Sequence, residues 1–164
     1  MHNWVACNAV GVTITRTDAG TPPLDEMVCF SLYTASRATT QAYRRLLDPW
    51  GLTYPQYLVL VQLWTRGPLT VRALGDDLAL DSGTLSPLLK RLERAGIITR
   101  TRDDAADGRV VTVALTPRGV HLRDEMADVP AQLFSCMSLS LDAARTLLDS
   151  LHALTDSIQA ANAR

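Results

Sequence analysis

Cysteine is scarce in this chain, with three in 164 residues, at positions 7, 29 and 136. The count is odd and no CxxC or CxxH spacing occurs, which argues against a secreted disulfide framework and against a zinc site. Reduced thiols in the cytoplasm are the expectation, and no cofactor or metal is called for. No apolar run approaches the roughly 18 residues needed to span a bilayer. The first 24 residues lack a basic start and an apolar block, so they do not read as a signal peptide. A strong charge of one sign is missing too. The net charge is −1, and the whole molecule gives no hint of a nucleic-acid partner. Hydrophobic content of 47% and charged content of 20% are ordinary for a soluble globular protein. The length fits one domain, or one domain with a dimerisation extension.

The distribution of charge is less neutral than its sum. Between Ser82 and Arg118 lie seven positive side chains (Lys90, Arg91, Arg94, Arg100, Arg102, Arg109, Arg118) and four negative ones (Glu93, Asp103, Asp104, Asp107). A solvated charged face accounts for that count by itself, so geometry has to decide.

Residues 1–24 show no sustained period and end in a Gly-Thr-Pro-Pro breaker cluster, which reads as a flexible arm. Asp25 is then expected to cap a helix running to about Asp48, stopped by Asp48-Pro49 and Gly51. Thr53 suits the cap of a helix over Pro55 to Arg66, with Pro55 where a missing N–H costs little. Tyr57, Leu58, Val61, Leu63 and Trp64 make that helix apolar nearly all round, hence buried. Gly67-Pro68 turns the chain, and Thr70 caps a short helix, Val71 to Leu80. Asp81 or Ser82 begins another, which ends at Gly96; Pro87 lies close to its first turn, tolerated or giving a slight bend. The period then changes. "IITRTR" (97–102) and "RVVTVAL" (109–115) are β-branched and partly alternating, and "DDAADG" between them is a polar turn, so a β-hairpin is expected. Helix restarts at Thr116-Pro117. Leu122, Met126, Val129 and Leu133 step by 4, 3 and 4, with a kink expected at Pro130, and Leu147, Leu151, Leu154 and Ile158 repeat the steps. Such a face can be core, but terminal amphipathic helices more often build a helical interface, here a homodimer.

The fold class that follows is mainly α with a small β-hairpin wing: a winged helix-turn-helix over residues 53–117. Residues 25–50 and 118–164 form a helical dimerisation region. A second helix of this kind fits a major groove, its first residues meet base edges, and basic groups hold phosphates. Leu85, Leu88, Leu89 and Leu92 face inward, which leaves Ser82, Thr84, Ser86, Lys90 and Arg91 free to face double-stranded DNA. Arg109, just past the hairpin turn, is placed for a minor groove. Each hydroxyl taken singly is as well explained by helix capping.

Cys29 falls on the first turn of the first helix, where unpaired N–H groups favour a thiolate, although Asp25 and Glu26 oppose this. At about 100° per residue, Tyr33 and Tyr43 lie about 40° to either side of Cys29, so all three share a face. Tyr43 is nevertheless about 21 Å along the axis and out of reach on a straight helix. If Tyr43 serves Cys29, it does so across a dimer. Phenols donating to sulfur stabilise the thiolate and speed its attack on a peroxide oxygen. The plainer reading is that Cys29 is a buried small hydrophobe and the tyrosines are packing.

"LTYPQYLVLVQLW", "GPLTVRALGDDLALDSGTLSPLLKRLERAGIITRTRD" and the Asp107-Gly108-Arg109 of the wing resemble the MarR family of dimeric winged-helix repressors. "VCFSLYTASRATTQAYRRLLDPWGLTYPQY" resembles its branch that senses organic hydroperoxides through one cysteine. The resemblance covers about residues 25–160. It implies that Cys29 is the sensor, that Tyr43 and Tyr54 of the other subunit hydrogen-bond it, and that Tyr33 helps rearrange the site after oxidation. In the two-cysteine subclass a second cysteine resolves the sulfenic acid, which would pair Cys29 with Cys136 of the other chain; alone, Cys136 reads as core or linker between the two C-terminal helical stretches. Cys7 lies in the unmatched arm. Gly108 between the wing's Asp107 and Arg109 departs from the family pattern. The reading is of a cytoplasmic, non-enzymatic repressor of operator DNA induced by organic hydroperoxide. Two others stay open: release by a small aromatic ligand, and a thiol peroxidase in which Thr34 and Arg37 would assist Cys29.

Overall fold

A 3-10 turn at Leu24–Glu26 precedes the first helix, α1 (Val28–Leu47), in a computed structural model that describes residues 22–102 and 110–163. Asp25 therefore sits inside that turn and does not cap α1, as its sequence position had suggested. Pro23 and Leu24 accept at 3.1 Å from the N–H groups of Glu26 and Met27, and Met27 is extended, so the chain turns once before the helix begins. The expected arm lies almost wholly outside the described residues. So do Cys7 and the wing residues Asp107 and Arg109.

A second 3-10 turn, Asp48–Trp50, carries Pro49 and closes at Gly51, whose φ of 62° is the left-handed conformation glycine allows. Helix α2 (Tyr54–Arg66) follows. Gln56 Oε1 accepts from the Thr53 N–H at 2.9 Å and from its hydroxyl at 3.0 Å. That bond satisfies a side chain buried with the core. Tyr57 and Leu63 are buried as expected, with Leu58, Val61 and Trp64 partly so. Val59 and Leu60, outside the anticipated stripe, are the most deeply buried residues of α2.

Strand β1 (Leu69–Thr70) was not anticipated, because two residues leave no period to read. Helix α3 (Val71–Leu78) is capped by Thr70, whose hydroxyl accepts from the Ala73 N–H at 3.1 Å. It stops two residues short of Leu80 because Ala79 turns left-handed at φ 51°. Helix α4 (Ser82–Arg94) starts at the cap Asp81 and ends as Gly96 suggested. Ile97 N–H donates to the Leu92 carbonyl at 3.0 Å and Gly96 N–H to that of Glu93 at 2.9 Å, the paired bonds of a left-handed helix stop. Pro87 lies inside α4, in its second turn. Leu85, Leu88, Leu89 and Leu92 are all buried.

Strands β2 (Ile98–Arg102) and β3 (Val111–Leu115) pair antiparallel with Ile98 opposite Leu115 and Arg102 opposite Val111. Leu69 pairs with Val113, so the expected two-stranded hairpin is a three-stranded sheet in the order β1-β3-β2.

Helix α5 (Pro117–Glu125) is capped by Thr116. The kink expected at Pro130 is instead a break. Residues 126–128 separate α5 from α6 (Val129–Met137), and Pro130 falls in the first turn of α6, where its missing N–H has no partner to lose. Leu122, Met126, Val129 and Leu133 are buried, the first three in the main core with Leu60, Leu89 and Val113. The first C-terminal stripe thus packs within the chain. Helix α7 (Leu141–Asn162) differs. None of its residues is buried, and Leu147 and Ile158 are 47% and 49% exposed. The chain parts into two compact units between Gln41 and Ala42, and the core belongs to the second. No helix among the described residues is long and apolar enough to cross a membrane.

Candidate thiol site and nucleic-acid interface

In the first unit, Cys29 is the second residue of α1, a free thiol open to solvent. It is not the buried small hydrophobe of the plainer reading. No acidic residue stands in the first turn of α1, the turn that carries Cys29. One turn on, Tyr33 is 55% exposed and its hydroxyl accepts from Arg37 Nη1 at 2.9 Å. The Arg37 guanidinium also lies 5.6 Å from the Tyr33 ring centre. A phenol that accepts from an arginine keeps its own proton to donate elsewhere.

In the second unit, Tyr43 and Tyr54 meet. Their rings stack at 4.1 Å and 16°, although one comes from α1 and the other opens α2. Tyr57, which the sequence marked only as core, adds a third ring 5.6 Å from Tyr43 and edges onto Trp64 at 6.1 Å. Burial, and then the neighbouring phenols of Tyr54 and Tyr57, push the Tyr43 hydroxyl up to about 12. Burial likewise raises Tyr54, and burial with the Tyr54 phenol raises Tyr57. All three are therefore neutral hydroxyl donors at physiological pH. Cys136, the second candidate thiol, is also free and exposed. It lies within α6, one residue before its end, and not in a linker between helices.

Ser82, Thr84, Ser86, Lys90 and Arg91 all stand exposed on α4. They are not equivalent. The Asp81 carboxylate accepts from the Thr84 N–H at 2.9 Å and from its hydroxyl at 3.0 Å, which holds that carboxyl below the usual range. The Thr84 hydroxyl proton is thus spent on the cap, leaving Ser82 and Ser86 as the free hydroxyls. Arg100 of β2 is drawn to α4 instead, donating to Glu93 Oε2 from Nη2 at 2.6 Å and Nε at 3.0 Å. That pair reduces the free positive charge the sequence had counted and ties the sheet to the helix. An open groove of about 760 Å³ lies between α3, α4 and the sheet, with Val71, Leu85, Ser86 and Arg100 among its walls.

The model of the MarR family matches residues 52–111. The organic hydroperoxide resistance transcriptional regulator of Bacillus subtilis is 40% identical over 139 residues, 85% of this chain and 94% of that protein. The HTH-type transcriptional regulator TtmR of Methylorubrum extorquens is 45% identical over 137 residues, 84% of this chain and 70% of that one. Among solved structures, AbfR of Staphylococcus epidermidis is similar in two states. In its reduced form bound to DNA it is 34% identical, with 82% of this chain and 94% of that one covered and a TM-score of 0.69. With its disulfide formed it is 32% identical, with 86% and 93% covered and a TM-score of 0.59.

Proposed function

Because this chain belongs to the MarR family of transcriptional regulators, we propose that it is a repressor whose reduced homodimer binds operator DNA and is released by an organic hydroperoxide. The observation that carries the reading is the stacked Tyr43–Tyr54 pair. Two phenols with elevated pKa stand together as hydroxyl donors, which is what a thiolate needs. The resemblance to the hydroperoxide-sensing branch assigns these donors to Cys29 of the partner subunit, which agrees with the roughly 21 Å that separates residues 14 apart on a straight helix.

The Cys29 sulfur attacks the terminal peroxide oxygen, the O–O bond breaks, and the alkoxide leaves with a proton as the alcohol. Cys29 becomes a sulfenic acid. The thiolate of Cys136 of the partner subunit then displaces hydroxide, which leaves as water, and an intersubunit disulfide forms. Its sulfurs must come within about 2 Å, so the surrounding helices shift and two recognition helices lose their match to half-sites one helical turn apart. Ser82, Ser86, Lys90 and Arg91 supply the α4 contacts to DNA, and Arg109 of the wing, with Asp107 beside it, reaches the minor groove. Tyr33 takes part in the rearrangement.

Electrophoretic mobility with a duplex selected from a random pool tests this directly. Cumene hydroperoxide should release the wild-type protein and dithiothreitol should restore binding, whereas Cys29→Ser should stay bound. On a non-reducing gel, a dimer band should appear with peroxide and require both Cys29 and Cys136. A wild-type protein that peroxide leaves on DNA would sink the reading. A second reading is release by a small aromatic ligand, for which the groove beside α4 offers space. That requires release by the ligand alone, in Cys29→Ser as in wild type.

A further inference from the structure

The tyrosine pair packs against the main core and is linked beyond it. It continues as an unbroken series of contacts to the far end of α4. Tyr43 touches Tyr57 as well as Tyr54, and Tyr57 meets the edge of Trp64. Tyr54 and Trp64 stand ten residues apart near opposite ends of α2, about 15 Å along one rigid element. The Trp64 indole Nε1–H then leaves α2 altogether and donates to the Gly119 carbonyl of α5 at 2.8 Å. Gly119 N–H donates in turn to the Thr116 hydroxyl oxygen at 3.1 Å. That hydroxyl donates to the carbonyls of Gly96 and Ile97, at 2.7 and 3.1 Å, where α4 ends and β2 begins.

The last link is also a steric pinch. A Cβ on Gly119 would lie 2.2 Å from the Ile97 carbonyl oxygen, so the α5 backbone presses directly on the turn after α4. A displacement at α5 has no slack to absorb it there. Among the described residues, the indole bond is the one hydrogen bond between α2 and α5.

We propose that Trp64 is a positioning residue that couples the sensing tyrosines to the C-terminal end of the recognition helix, through its indole hydrogen bond to the Gly119 carbonyl. This rests on the redox reading above. A shift of Tyr43 and Tyr54 when Cys29 is oxidised tilts α2. Trp64 draws Gly119 with it, and Thr116 passes the movement to Gly96 and Ile97, changing the pitch of α4 together with the wing.

Trp64→Phe keeps the ring on Tyr57 and removes the N–H donor alone. Fluorescence anisotropy on the selected duplex gives affinities for the reduced and the cumene-hydroperoxide-oxidised protein, and a sulfenic-acid probe gives the rate of Cys29 oxidation. The variant should oxidise at the wild-type rate and bind in the reduced state within about twofold. The ratio between its two affinities should shrink about fivefold, the worth of one net hydrogen bond. A purely structural role would lower both affinities alike and leave the ratio unmoved, and that result overturns the proposal. If Trp64→Phe does not fold, Thr116→Val cuts the same route one link on and must narrow the ratio equally, or the proposal falls. Failure of wild type to respond to peroxide at all is a different outcome, and it removes the redox reading itself.

Discussion

Tyr43 combines burial with two neighbouring phenols, and both effects make its anion costly. The consequence for pH follows from the direction of the shift. A folded-state value raised from 10 to about 12 contributes stability that is complete below pH 10 and is lost as pH rises toward 12. At neutral pH nothing is lost, and the hydroxyl is a full-time donor. Titration followed by tyrosinate absorbance should therefore show late ionisation of Tyr43, Tyr54 and Tyr57, with the latest component absent from Tyr43→Phe. On the proposed reading, iodoacetamide should alkylate Cys29 of the same variant several-fold more slowly at neutral pH, because the thiolate would lose a donor worth about 1 kcal/mol or more. An unchanged alkylation rate would remove Tyr43 from the thiol site. Tyr43 and Tyr54 could be nominated from the motifs they sit in, although their stacking on each other could not. Tyr57 was not, since within "YPQYLVLVQLW" it has the spacing of an ordinary core residue, and its ring contact with Tyr43 joins two elements that spacing cannot relate.

At the scale of elements, the helix starts with a threonine cap were readable in advance. Thr53, Thr70 and Thr116 each precede an apolar period, two of them with proline just inside, and local chemistry of that kind does not wait for tertiary contacts. Asp25 offered the same signal and misled, because the prolines before it favour a separate 3-10 turn that consumes the residues a cap would need. Strand β1 was invisible for the opposite reason: two residues become a strand only because β3 is there to pair with them. Two outcomes test these elements. Asp81→Ala should lower the melting temperature and weaken the start of α4. Its carboxyl is held below the usual range, so the difference from wild type should be full at neutral pH, begin to fall in the usual carboxylate range and vanish only below it. Gly119→Ala should cost about 1–3 kcal/mol in urea unfolding, since the added methyl meets backbone at Ile97 and no side chain can rotate away. A wild-type midpoint for that variant would mean the two backbones part easily.

For the whole molecule, the two amphipathic stripes at the C-terminus look alike in the sequence, and they separate on folding. The face of Leu122, Met126 and Val129 joins the core that α4 and the sheet also build, so it holds the DNA-reading half together. The face of α7 has no such role. A 22-residue helix without one buried side chain gains little from its own chain, and isolated helices are marginal in water. If the proposed homodimer forms through α7, a second copy of the same face would supply burial worth roughly 25 cal/mol per Å² of apolar surface covered. A charge placed on that face would then break the assembly and spare the fold. Leu147→Glu combined with Ile158→Glu should run as a monomer in light scattering, where the wild type should run as a dimer. Its core should stay intact, because the substituted side chains are about half exposed in the single chain. Near-ultraviolet circular dichroism, which reports the packed Tyr57 and Trp64 rings, should be unchanged. Affinity for the selected duplex should fall at least a hundredfold, since one half-site must bind without its partner. A double variant that remains dimeric would move the interface away from α7.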